Sequence, residues 1–177
     1  MGERGWAAAV LMRGGRLMES AVAADVVDAP YEPGKLALRE GPLLEAAVRA
    51  LREPPELVIV HATGRDHPRG AGLALHLGAV LDRPSIGVTD RPLGTTGALP
   101  AADRGATGRL VADGVEVARL LRTRAGARPV VVHAGWRTDL DTAISIALAA
   151  TRQFRTPEPL RCARRLARHV RTAADSR

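Results

Sequence analysis

Two histidines, two arginines and an aspartate lie within nine residues of this 177-residue sequence. They are His61, Arg65, Asp66, His67 and Arg69. Histidine exchanges protons near neutral pH, and the forked guanidinium of arginine binds phosphate, sulfate or carboxylate groups. The segment follows Glu56–Val60, an apolar run typical of a buried parallel strand. Because loops at the carboxyl ends of such strands converge on ligand sites, we expect a functional site here.

Two other segments combine turn-forming residues with reactive side chains. The first is the rigid loop Pro30–Gly34, which contains Tyr31 and is followed by Arg39–Pro42 with its Glu40. The second is Gly135–Arg137. A solvated loop would account for the arginines of His61–Arg69, but accounts less easily for its two histidines beside a buried strand.

The elements that must position these segments follow from apolar periodicity and turn residues. An opening hairpin is predicted from Trp6–Met12 and Leu17–Val27, with Gly14 and Gly15 in its turn. Pro42 is expected at the first position of a helix that Pro54 and Pro55 end. The other predicted elements are the strand Glu56–Val60, the helix Ala71–Leu81, the strand Ser85–Val88, a surface excursion over 94–108, the strands Val115–Arg122 and Pro129–His133, and the helix Asp139–Thr151. Strands that alternate with helices indicate a mixed α/β sheet.

The net charge of +7 is concentrated at the C-terminus. Residues 1–151 carry a net +1 and residues 152–177 a net +6. We expect one domain over 1–177, with 152–177 forming a basic amphipathic helix. The single Cys162 excludes an internal disulfide. No apolar run approaches the ~20 residues of a membrane span and no signal peptide is recognisable, so the expectation is a soluble, cytoplasmic protein without a membrane partner.

Six motifs together resemble the endonuclease V family, a deoxyinosine-specific group of nucleases with a ribonuclease-H-like fold. They are Pro30–Gly34, Arg39–Pro42, His67–Gly78, Pro84–Val88, Gly135–Arg137 and Thr156–Arg161, and the resemblance covers roughly residues 6–165. It implies a five-stranded sheet flanked by helices and a groove for nucleic acid. Tyr31 would act as a wedge beside a flipped inosine. Carboxylates would bind Mg²⁺ for attack on a phosphodiester.

The metal ligands that the resemblance implies are incomplete in this sequence. Glu40 matches the second of three family carboxylates, and His61 stands at the position of the third. The first has no counterpart, because the sequence begins at the second strand of the family pattern, so that the family's first strand is missing. Asp90 replaces an expected lysine and Trp136 an expected histidine. Because Mg²⁺ needs oxygen ligands, one glutamate beside histidines and arginines makes a poor magnesium site, and no metal site is predicted.

These replacements favour an anion-binding pocket in place of a cation-binding one. Our leading interpretation is a metal-independent enzyme or enzyme subunit that acts on an anionic small molecule, by elimination or transfer of a phosphate or sulfate group. No cofactor is expected, and Mg²⁺ enters only if nuclease activity is retained. The candidate catalytic residues are Glu40, His61 and His67. The candidate binding residues are Tyr31, Arg39, Arg65, Arg69 and Arg137.

Two alternatives remain open. One is a nucleic-acid-binding pseudo-nuclease that keeps Tyr31 and the basic C-terminal helix, and it predicts strong binding to single-stranded DNA with a steep salt dependence. The other is a deoxyinosine-specific endonuclease that is still active. The missing first strand lies centrally in ribonuclease-H-like sheets, so its absence predicts open strand edges. A partner chain or a homo-oligomer would then complete the sheet, unless the sequence starts at a misassigned position.

Overall fold

A long antiparallel hairpin and a separate five-stranded sheet form the β-structure of the computed structural model, which describes residues 3–27 and 36–176. In chain order the elements are β1 (Glu3–Arg13), β2 (Arg16–Val27), α1 (Leu36–Arg49), β3 (Val58–Val60), α2 (Leu73–Leu81), β4 (Ser85–Thr89), β5 (Thr107–Ala112), β6 (Val115–Leu121), β7 (Val130–Ala134), α3 (Leu140–Ala149) and α4 (Glu158–Asp175). Tyr31 and the Pro30–Gly34 motif lie outside the described residues.

The hairpin forms where the sequence predicts it. β1 and β2 pair antiparallel from Glu3 opposite Val27 to Arg13 opposite Arg16. The turn residues Gly14 and Gly15 have φ of 57° and 76°. A two-residue turn that suits the twist of a hairpin needs positive φ at both central positions, which glycine adopts without steric cost.

The five-stranded sheet has the order β3-β4-β7-β6-β5. β3 and β4 run parallel, and the other neighbours are antiparallel. All five residues of β7 are buried, because helices cover both faces of the sheet. The prediction missed β5, a Thr- and Gly-containing strand at the sheet edge whose first residues are partly exposed. The mixed α/β sheet and its flanking helices confirm the predicted fold class, a ribonuclease-H-like arrangement.

Helices form a layer on each side of this sheet. On one face, α3 and α4 pack Ala143, Ala147 and Leu160 onto Ile86 and Val88 and their neighbours. On the other face, α2 packs onto β3 through the buried residues Val58, Val60, Leu73, Ala74 and Leu77. Alternate residues of β3 thus pack against opposite helix layers, since Ile59 contacts the α3–α4 cluster.

The hairpin is attached to the sheet through helices. Ala47 of α1 and Leu51, two residues beyond the end of that helix, are buried against Ala7 and Ala9 of β1. Leu44 of α1 also packs against the α2 cluster. α4 lies against both β1 and β3. No Cα of β1 comes within 8 Å of a Cα of β3, so no β-ladder joins the two sheets within the described residues.

Helix boundaries correct one prediction and confirm another. Pro42 does not open α1, which begins at Leu36 and carries this proline in its interior. The proline has no N–H to donate to the preceding turn, and the apolar face that packs on the hairpin maintains the helix in spite of that lost bond. The helix predicted over Asp139–Thr151 is confirmed as α3, and Asp139 is its N-cap, since its carboxylate accepts the N–H of Thr142 at 2.8 Å. Within the described residues no helix is long and apolar enough to cross a bilayer.

Candidate functional site

His61 lies where the carboxyl ends of the parallel strands β3 and β4 meet. Its Nδ1 is 2.8 Å from the carbonyl oxygen of Val88 in β4. Because a carbonyl only accepts hydrogen bonds, we assign the proton to Nδ1, which leaves Nε2 as an unprotonated acceptor. Burial, and then the positive charge of Arg164 in α4, lower the pKa of His61. The imidazole is therefore neutral at pH 7 and able to take a proton.

Charged side chains from two other elements approach His61. Asp90 follows β4 and accepts a hydrogen bond of 2.7 Å from Nη1 of Arg155. Partial burial opposes the ionisation of Asp90, but the bond and charge of Arg155 outweigh it and lower its pKa. Arg155 is itself anchored by the carbonyls of Arg128 and Pro129. Arg164 acts electrostatically on both His61 and Asp90, so all three groups share one region.

A buried pair of side chains, Asp66 and His133, fixes the position of the loop that begins at His61. Oδ1 of Asp66 lies 2.9 Å from Nδ1 of His133, and both side chains are 0% exposed. The same Oδ1 accepts the N–H of Gly64, and Nε2 of His133 lies 3.0 Å from the hydroxyl of Thr89. Sequence reasoning did not single out His133, although a histidine inside the otherwise apolar Val130–Ala134 was a usable signal. Asp66 thus serves the loop's conformation.

The structure places the other predicted loop residues nearer the surface. Arg65 and Arg69 are exposed. His67 is half-buried, and its Nδ1 accepts the backbone N–H of Arg69 at 3.2 Å. No hydrogen bond or ion pair connects His67 or Arg69 with His61 among the described contacts. Their roles remain predictions.

Glu40 and Arg39 lie on α1. Glu40 is exposed overall, but the protein atoms around its carboxyl group remove water and raise its pKa, an effect that the charge of Arg39 only partly offsets. The adjacent Gly41 is buried against His76 of α2, which places Glu40 at the contact between the two helices. Arg39 lines a small groove between α1 and the C-terminal half of β2.

Arg137 lies at the far end of β4 from His61. Its Nη2 pairs with Asp82 at 2.8 Å, and its guanidinium lies 5.7 Å from the centre of the Trp136 ring. The backbone of Trp136 bonds to Ser85, the first residue of β4, whereas His61 contacts the end of that strand. β7 runs antiparallel to β4, so the loop that follows β7 lies at the opposite end of the strands from His61. The structure therefore does not bring Arg137 to His61.

The magnesium site that the resemblance implies does not fit the side chains that the structure describes. No group of three or more histidine, cysteine, aspartate or glutamate side chains among residues 3–27 and 36–176 is placed to hold one ion. At the ends of β3 and β4, His61 offers nitrogen and Asp90 is paired with Arg155. Mg²⁺ selects oxygen ligands in near-octahedral geometry. These residues alone do not provide them.

Known sequences of one family match this chain along almost its whole length. A family profile described as Endonuclease V matches residues 2–165. The Endonuclease V of Streptomyces avermitilis is 43% identical over 166 residues, which are 93% of this chain and 72% of that protein. The Endonuclease V of Methanothrix thermoacetophila is 43% identical over 164 residues, covering 92% of this chain and 73% of that protein.

Solved structures give the same result for the fold. The crystal structure of endonuclease V from Streptomyces avermitilis superposes with a TM-score of 0.87 at 37% identity, covering 98% of this chain and 83% of that one. The catalytic domain of human endonuclease V superposes with a TM-score of 0.82 at 28% identity, covering 98% and 85%. A Ciona intestinalis endonuclease V, solved with DNA that contains an inosine, shares the fold at 17% identity, a TM-score of 0.79 and coverages of 97% and 85%.

Proposed function

Because this chain belongs to the endonuclease V family, we propose that it is an endonuclease that recognises deoxyinosine in nucleic acid and hydrolyses the phosphodiester backbone near it. The observation that carries this proposal is the 43% identity to proteins named Endonuclease V over more than nine tenths of the chain. The match includes the loop of His61 and both strands that meet there.

The leading interpretation from the sequence, a metal-independent enzyme or subunit acting on an anionic small molecule, is wrong. That interpretation depended on two altered metal-ligand positions. It gave them more weight than the motifs that the rest of the chain shares with the family. Relatives that match at 43% identity from bacteria and archaea alike are named Endonuclease V. These relatives support one of the two alternatives, a deoxyinosine-specific endonuclease that is still active.

His61 is the group best placed to activate water. Hydrolysis of a phosphodiester requires a base for the attacking water and positive charge near the phosphoryl oxygens. The proton that Nδ1 donates to Val88 leaves Nε2 free to accept one from water, and the lowered pKa keeps the ring neutral. Arg164 supplies a positive charge on the same side.

Surface arginines supply the contacts that a nucleic acid needs. Arg165, Arg168 and Arg171 are exposed on α4, and Arg65 and Arg69 on the loop that follows His61. Arginine binds backbone phosphates without reading sequence, so these residues would position a strand and leave recognition of the base to other groups. Tyr31 remains the predicted wedge for that recognition.

The test is cleavage of a single-stranded oligonucleotide that contains one deoxyinosine, compared with the same strand containing deoxyadenosine. Both are incubated with the protein in magnesium buffer and in EDTA, and products are sized on a denaturing gel. We expect cleavage at one position near the inosine and none in the control strand. Tight binding to both strands without cleavage in either buffer would instead support the pseudo-nuclease.

A further inference from the structure

Phe154 is an aromatic side chain on the surface, in the segment between α3 and α4. The sequence contains two tryptophans, one tyrosine and this one phenylalanine. Among the exposed large apolar side chains that the structure describes, Phe154 is the one aromatic, and it is 47% exposed. An exposed aromatic ring offers an apolar, flat face that a planar ligand can cover.

One face of the Phe154 ring is covered by a cation. The guanidinium carbon of Arg161 in α4 lies 4.2 Å from the ring centre. Nε and Nη2 of Arg161 both donate to the carboxylate of Glu158, at 3.0 and 2.5 Å, and this forked contact fixes the plane of the guanidinium. Because nearly half of the Phe154 side chain is still exposed, the ring remains accessible to a ligand from its other side.

The backbone that carries Phe154 is held by contacts of the next residue. The guanidinium of Arg155 donates to the carbonyl of Pro129 at 2.8 Å and to the carboxylate of Asp90 at 2.7 Å. The carbonyl of Arg155 accepts the hydroxyl of the buried Thr123 at 2.7 Å. A ring on such a backbone loses little conformational freedom when a ligand binds, and this favours affinity.

These contacts also place Phe154 beside the region of His61. Asp90, to which Arg155 is bonded, follows β4 and acts electrostatically on His61. Arg164, in the second turn of α4, acts on His61 as well. The Phe154 ring therefore lies at the border of the region in which the proposed hydrolysis takes place.

The charge around the ring indicates the class of ligand. Residues 152–171 contain seven arginines and one acidic residue, Glu158, which is paired with Arg161. A nucleotide joins a flat base to a negative phosphate, and proteins that bind single strands combine a positive surface with aromatic rings on which bases stack. A base inside a duplex has both faces covered by its neighbours. Only an unpaired or displaced base can stack on a protein side chain.

We propose that Phe154, backed by Arg161, is a stacking platform for one unpaired base near the deoxyinosine of the bound strand. The identity of that strand rests on the proposed function. The platform holds a nucleotide other than the deoxyinosine, for which Tyr31 is the predicted wedge, and it selects a substrate that is single-stranded at that nucleotide.

The test measures binding of single-stranded oligonucleotides by fluorescence anisotropy in EDTA, and each strand is sized afterwards to show that it is intact. Each strand contains one deoxyinosine, and an abasic site is moved through the positions on both sides of it. We expect Phe154→Ala to weaken binding of the strand without an abasic site roughly 5–150-fold, the contribution of one stacked base. An abasic site at one position should weaken binding to the unaltered protein similarly, with no further loss in Phe154→Ala.

Matched variants separate stacking from loss of apolar surface. Phe154→Tyr keeps the ring and should bind as the unaltered protein does. Phe154→Leu keeps apolar bulk without a flat ring, so it should also lose affinity, and it covers the case in which Phe154→Ala does not fold. Leu99→Ala shortens a side chain that is 75% exposed and should leave binding unchanged.

The outcomes distinguish the platform from the nuclease activity. Unchanged affinity in both Phe154→Ala and Phe154→Leu would overturn the platform, even if the protein cleaves at deoxyinosine. Equal losses at every abasic position in the unaltered protein and in Phe154→Ala, or binding to none of the strands, would overturn it too. The expected pattern of affinities in a protein that cleaves no strand would support the platform and contradict the proposed nuclease alone.

Discussion

Asp66 and His133 form a buried pair whose carboxylate oxygen and imidazole nitrogen lie 2.9 Å apart, with both side chains 0% exposed. The pair joins the loop after β3 to the middle of β7, two segments separated by more than sixty residues. A polar side chain buried without a polar neighbour is costly, so each partner makes the burial of the other tolerable. The loop that begins at His61 therefore has its position set by a contact well away from His61 itself.

Loss of this pair should destabilise the protein strongly. Asp66→Ala leaves His133 buried without its partner and also removes the acceptor for the Gly64 N–H. We expect a loss of about 1–3 kcal/mol in the free energy of unfolding, measured by urea denaturation. Glu45→Ala breaks the surface pair with Arg49 on α1 and should cost about 0.5 kcal/mol or less. Equal losses of unfolding free energy in the two variants would show that the buried pair stabilises the protein no more than a surface pair does.

Replacement of His61 should remove most of the cleavage. If Nε2 accepts the proton of the attacking water, His61→Ala should lower the rate of cleavage at deoxyinosine by about 10²–10⁴-fold, while binding of the strand changes little. His169→Ala alters an exposed histidine on α4 and serves as the control. A His61→Ala variant with the rate of the unaltered protein would exclude this residue as the base.

The acid side of the pH–rate profile should depend on Arg164. His61 acts as a base only when neutral, so cleavage should fall as the pH drops through its pKa, which lies below the ordinary value of 6.5. Removing the charge in Arg164→Gln leaves burial as the main cause of the lowered pKa, and the fall should move to higher pH. Arg168→Gln is the control. A profile that shifts equally in both variants would assign the effect to net charge.

Magnesium alone should not stabilise this chain. The described side chains offer no group of three ligands, and the carboxylate of Asp90 is paired with Arg155. We therefore expect the melting temperature in MgCl₂ to equal that in NaCl of the same ionic strength. A saturable rise that disappears in Glu40→Gln would contradict this expectation and identify Glu40 as a ligand of the ion.

The arginines of α4 should govern the salt dependence of binding to single-stranded DNA. Replacing Arg165, Arg168 and Arg171 by glutamine removes three exposed charges, and each lost phosphate contact should reduce the slope of log K against log salt by about 0.7. The control is the triple replacement of Arg83, Arg91 and Arg124, which are exposed on loops. Fluorescence anisotropy between 50 and 200 mM salt, about the range over which such contacts weaken, measures both slopes. Equal slopes for the two triple variants would show that the single-stranded DNA does not bind along α4.

Local features of the sequence were sufficient to predict most elements and the family. The pair Gly14 and Gly15 specifies a tight hairpin turn, Asp139 caps its own helix, and the apolar run Val130–Val132 of β7 indicates burial on both faces. These features depend on residues within a few positions of one another, where sterics and hydrogen bonding are nearly independent of the rest of the chain. The proline inside α1 is an exception, because packing on the hairpin outweighed its local preference.

Contacts between distant segments were decided only by the tertiary structure. From the sequence, Asp66 was grouped with the reactive residues of its loop. In the structure it is buried against His133 of β7 and fixes the loop's conformation. Arg137 belongs to a recognisable motif, yet the antiparallel course of β7 directs it away from His61. The placement of the hairpin beside the five-stranded sheet likewise depends on α1 and α4, which pack against both. Strand order and direction arise from the packing of whole layers, which no local spacing of residues encodes.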